Sequence, residues 1–168
     1  MNAIAKVTHQ SVMAGTCKGT INGTEDFEAG LVVLSEAHYP PPLGVAHVMQ
    51  ATQRGAAPKY ETKELKVSFT KGLADGKYGL LPDSTSVRVL FVDSSTPDKP
   101  VAYTNSIGIA ELAFDADNSI FSGTISATLE NRDEDTIRNV NLRVDFKALP
   151  TPPTRRIPRP PSSRRGPC

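Results

Sequence analysis

The sequence predicts an all-β protein: an antiparallel β-sandwich, jelly-roll or immunoglobulin-like, of about eight strands over residues 1–149, followed by a disordered Pro/Arg-rich tail at 150–168. Three observations carry this. Apolar residues recur at every second position through the C-terminal half, turn-forming residues punctuate those runs, and the alternation stops at Leu149, where prolines take over. A period of two sends successive side chains to opposite faces of a strand, whereas a helix would scatter the same residues around its circumference.

In chain order, GTINGTE carries Asn22-Gly23, a pair that accepts the positive φ of a type I′ hairpin turn. TEDFEAGLVVLSEAH admits a short helix capped by Thr24, with Phe27, Leu31 and Leu34 on one face, or a strand over LVVLS, which the valines favour. YPPPLG ends that element, because three prolines remove three amide donors in a row, and TQRGAAPK is a loop. LKVSF turns Leu65, Val67 and Phe69 inward and Lys66 and Ser68 outward.

Asp75-Gly76 marks a turn before KYGLL; SVRVLFV and PVAYT flank DSSTPDK; IGIAELAF precedes DADN. SIFSGTISATLE sets Phe121, Gly123, Ile125, Ala127 and Leu129 on one face and Ser122, Thr124, Ser126 and Thr128 on the other. NVNLRVDFKAL repeats the arrangement, with Val140, Leu142, Val144, Phe146 and Ala148 inward, and the polar NRDEDT between them makes the two an antiparallel pair.

At 168 residues the chain supports one core. Its net charge of +1 conceals an asymmetry: Arg155, Arg156, Arg159, Arg164 and Arg165 lie in the tail, which leaves 14 basic against 18 acidic residues, or −4, in the body. A mildly acidic body argues against specific DNA recognition, which needs clustered cations on one face. Cys17 and Cys168 read as thiols in a reducing compartment. With no membrane-length apolar run and no apolar leader core near the start, a cytoplasmic location without a membrane span is expected.

The tail fits Arg-x-x-Pro-x-x-Pro at Arg155, Pro158 and Pro161, and Pro-x-x-Pro-x-Arg at Pro150, Pro153 and Arg155. Such segments dock preformed polyproline-II helices into aromatic grooves, and RRIPRPP resembles the pattern of proline-rich antimicrobial peptides. A solubilising tail is the plainer reading; a salt-sensitive attachment to an acidic or protein partner through Arg155, Arg156, Pro158, Arg159, Pro161, Arg164 and Arg165 is the functional one.

No metal or cofactor is expected. DADNS places Asp115, Asp117 and Ser119 as a calcium loop begins, but Ile120 stands where the turn glycine belongs and Ser126 where the bidentate acid belongs. His9, His38 and His47 lack ligand spacing, no Gly-x-Ser-x-Gly elbow occurs, and GLADGKYG is too short for a phosphate loop. The leading expectation is therefore a non-catalytic binding or interaction module. Alternatives are a carbohydrate-binding or adhesion domain using Tyr39, Tyr60 and Tyr103, and a small hydrolase with a loop-assembled site around His38 or His47. An exposed edge strand would allow homo-oligomers by sheet extension.

Overall fold

The structure, a computed structural model of the chain, describes residues 15–133 and 137–150. Ten strands account for most of them: β1 (Gly15–Ile21), β2 (Glu25–Glu28), β3 (Leu31–Tyr39), β4 (Gly44–Arg54), β5 (Thr62–Thr70), β6 (Gly76–Gly79), β7 (Val87–Ser94), β8 (Val101–Asp115), β9 (Ile120–Asn131) and β10 (Arg138–Ala148). The all-β antiparallel class stands. The helix considered near Thr24 is instead β2 and β3, and no described segment is helical.

A sandwich calls for two separately bonded sheets. Here all ten strands join one sheet, ordered β2-β1-β10-β9-β8-β7-β5-β4-β3, with the short β6 pairing β8. The difference is one of hydrogen bonding rather than burial: either arrangement hides one face of each strand, so the same alternation serves both. The sheet curls into a half-barrel. Its two ends approach where the Ala29 amide donates to the Cys17 carbonyl and the next amide, Gly30, to the Thr52 carbonyl.

The concave face is filled. Phe27, Met49, Leu65, Phe69, Phe91, Leu112, Phe121, Ile125, Leu129 and Leu142 are each almost completely buried there. Phe121 stacks on Phe69 with centroids 5.9 Å apart and meets Phe146 edge-on at 5.0 Å. Buried aromatic area of this kind is the main favourable contribution to such a core. The interior is thus a packed core, and any binding surface must lie on the outer face or at the rims.

Close strand approach requires small residues. A Cβ on Gly108 would sit 2.5 Å from the Ala127 Cα, and one on Gly123 would sit 2.3 Å from the Glu111 carbonyl oxygen. The β8–β9 ladder shifts register between Asn105 and Ile107, so one strand joins what the sequence showed as PVAYT and IGIAELAF. Asn22 and Gly23, at φ of 53° and 69°, make the expected β1–β2 turn. The last strand ends at Ala148; residues 151–168, with the tail motifs, lie outside the described part.

Candidate functional site

One cleft opens on the outer face where β7 and β8 part. Their ladder covers only Leu90–Asp93 against Val101–Thr104. Beyond it the side chain of the buried Asn105 replaces the missing strand bonds: its Oδ1 accepts from the Val89 amide at 2.8 Å, and its Nδ2 donates to the Val87 carbonyl at 3.0 Å. Further along, β8 takes β6 as its partner, from Ile109 to Leu112. The chain leaving β6 then passes over the opening. Its Leu81–Ser84 turn is pinned by the Ser84 hydroxyl, which donates to the Gly79 carbonyl at 3.1 Å and accepts from the Leu81 amide at 2.9 Å.

Tyr39 forms the opposite wall. It ends β3, paired with Gly44, yet its hydroxyl lies 3.4 Å from the Ser68 Oγ on β5. To reach Ser68 the ring crosses β4, which explains why the outward Ala46 and Val48 are almost fully buried. The Arg88 guanidinium sits over the ring, 4.1 Å from its centroid, a favourable cation–π distance. The result is a cavity of about 410 Å³ lined by the apolar Tyr39, Pro82 and Leu90, the hydroxyls of Ser68, Ser84 and Thr104, and the cations Lys66 and Arg88. No carboxylate lines it, and neither cation forms an ion pair among the described residues. The Ser68 hydrogen bond, followed by the charges of Lys66 and Arg88, holds the Tyr39 phenol below its ordinary pKa.

The three tyrosines singled out in the sequence do not converge. Tyr39 lines the cleft; Tyr103 packs against the core residue Phe91 at 6.2 Å; Tyr60 lies in the loop after β4, at φ 46°, under the Arg54 guanidinium at 5.0 Å. The Arg88 and Arg54 guanidinium groups each cover one ring face that a sugar would use.

Of the histidines, His9 lies outside the described residues, and His38 and His47 lie at one rim of the half-barrel. His47 stacks flat on Phe114 with centroids 3.6 Å apart, and burial, followed by the Lys71 charge, holds its pKa below the usual imidazole value. It shares a cavity of about 550 Å³ with Glu36, Lys71 and Ser119. Glu36 is committed to the Lys71 ammonium at 3.0 Å, with His38 at 3.6 Å. His47 makes no hydrogen bond to a hydroxyl among the described residues.

A third, open trough runs over Thr20, Ser126, Thr128, Asn141 and Arg143, so the hydroxyl row of β9 does face outward. The Thr128 hydroxyl donates to the Asn141 Oδ1 at 2.7 Å, and the Asn141 amide donates to Asn22 Oδ1 at 2.9 Å. DADN is a solvated hairpin turn: Asp115 accepts from the Asp117 and Asn118 amides at 3.0 and 3.2 Å. No group of three or more His, Cys, Asp or Glu placed to hold a metal ion occurs among the described residues, and no helix long and apolar enough to cross a membrane occurs among them.

Sequence reasoning missed Lys66, Ser84, Arg88 and Thr104. Lys66 was legible only as an outward strand residue, and the two segments that fold back over it carry no periodic signal. Comparison of the chain with family models, curated proteins and solved structures finds no match.

Proposed function

We propose that the protein is a non-catalytic binding module whose ligand site is the cleft between Tyr39 and the Leu81–Ser84 turn. The observation that carries this is the combination of apolar walls with two cations left without carboxylate partners, Lys66 and Arg88, in a cavity of about 410 Å³. Small-molecule sites typically occupy roughly 300–1,000 Å³ and join mostly apolar walls to a few convergent polar groups. Desolvating two like charges side by side is unfavourable unless something compensates them, and a bound ligand would do so.

The test is backbone amide NMR of the full chain during titration with a fragment set of mixed charge. Saturable shifts confined to Ser68, Ser84, Arg88 and Thr104 are expected, and Tyr39→Ala should weaken them. A set in which every fragment leaves these amides unmoved would overturn the reading.

Within the same proposal, the five tail arginines add salt-sensitive attachment to an acidic partner in the cytoplasm, a reading supported by the charge contrast between tail and body. Replacing all five by Gln in the full chain should abolish any partner captured at low salt; an unchanged capture would remove the tail from the proposal.

A further inference from the structure

We infer that the ligand of the Tyr39 cleft is a small organic carboxylate with a flat, single-ring apolar body; this rests on the binding reading above and names its ligand class. The charge comes first. Lys66 on β5 and Arg88 on β7 project outward on neighbouring strands, in rows where Ser68 faces Arg88 and Lys66 faces Leu90, so both cations border one opening. With no acid in the lining, the cleft is cationic inside a body that is acidic overall. A cation as ligand would meet two like charges. A neutral ligand would leave both without a counter-charge.

The shape narrows the class further. The Arg88 guanidinium carbon already sits over the Tyr39 ring, 4.1 Å from its centroid, so the group is positioned at the cleft before anything binds. A planar fork of donors matches a carboxylate in a way a lone ammonium does not, and prior positioning lowers the entropy lost on binding. Beyond the cations, Pro82, Leu90 and the edge of the Tyr39 ring line an apolar part of the cleft, with the Ser84 and Thr104 hydroxyls beside it. Free inorganic phosphate would satisfy the cations but leave that part filled with water. The cavity lies at the small end of ligand-site volumes, which favours one ring over a long acyl chain.

The experiment uses the full-length protein and three probes: 4-methylbenzoate, its neutral counterpart 4-methylbenzamide, and inorganic phosphate. Amide shifts at Ser68, Ser84, Arg88 and Thr104 are followed at constant ionic strength. The carboxylate should saturate them. The benzamide should bind at least tenfold more weakly, since a hydrogen bond to a charged group contributes about 1.5–3 kcal/mol, or roughly tenfold to a hundredfold in affinity. Phosphate should not move the apolar-wall amide Leu90. Arg88→Leu should cost a similar factor for the carboxylate and little for the benzamide, a split that a merely misfolded cleft would not produce.

Equal binding of acid and amide would overturn the carboxylate assignment while leaving the binding site in place. Phosphate shifting the same amides as strongly as the carboxylate would overturn the requirement for a ring. Silence from all three probes, with fragments of other classes binding, would also reject this ligand class, whereas silence from every fragment would reject the site itself.

Discussion

Asn105→Ala tests whether one amide side chain holds β7 and β8 apart. The substitution deletes both bonds, leaving the Val89 amide and the Val87 carbonyl without partners in a place where Asn105 itself is only 7% exposed. Each unsatisfied buried backbone group costs about 1–3 kcal/mol; water entering the adjoining cleft can relieve one of them, so the expected loss is about 2–4 kcal/mol. In a domain of this size that corresponds to a melting point lower by roughly 5–15 °C. Urea unfolding gives the stability change, and amide exchange at Val89 should accelerate more than exchange in the distant β9. Asn105→Asp supplies the control, since it keeps the acceptor for Val89 but turns a second oxygen toward the Val87 carbonyl; it should recover stability as the carboxyl is protonated at low pH. An Asn105→Ala protein within 0.5 kcal/mol of the parent, with Val89 exchange unchanged, would refute the bridging role.

Gly108→Ala should destabilise by about 1–3 kcal/mol through overpacking against Ala127, whereas Gly79→Ala, which meets nothing within 4 Å, should be close to neutral in the same urea titration. Cys17, buried at 1% exposure with its thiol pushed up to about 12 by desolvation and then by Asp145, should resist alkylation at pH 8 until urea unfolds the chain, as read by peptide mass at that residue. Stability should fall with acidification in two stages. His47, with its pKa lowered in the fold, lets the unfolded chain take up a proton first as pH drops through the ordinary imidazole range. Glu36, Asp115 and Glu130, lowered by bonds from Lys71, Asn118 and Ser106 respectively, add a second loss as pH falls from the ordinary carboxylate range through their folded values. Urea midpoints against pH should show His47→Asn removing the first stage and Asp115→Asn reducing the second.

The strands most legible in the sequence are those with one face in the core and one in water. β9 and β10 bury the residues that their alternation assigns inward, from Phe121 to Ala148, apart from the glycine that keeps the row. β4 was not legible because Ala46, His47, Val48 and Met49 are buried in succession: the Tyr39 ring covers its outer face and erases the alternation. The single curled sheet was equally hidden, since partner choice depends on backbone ladders and burial patterns do not record them. Of the cleft, only Tyr39 was marked, by its place beside three prolines. Asn105 gave a faint signal, a polar residue in an inward position just before the phase of alternation slips at Ile107.

The pairing of β1 with β10 along seven residues sets a timetable for the chain. The first described strand has to wait for the last one, because every other ladder in the sheet can close between segments nearer in sequence. At synthesis rates of about 5–20 residues per second, the edge of β1 that β10 will cover stays open for roughly 6–25 s while the remaining strands emerge. A product cut short before Arg138 would expose two long unpaired borders, on β1 and β9, each ready to recruit another chain. Completion of the C-terminal strand is therefore the event that converts a growing, adhesive ribbon into a self-contained molecule.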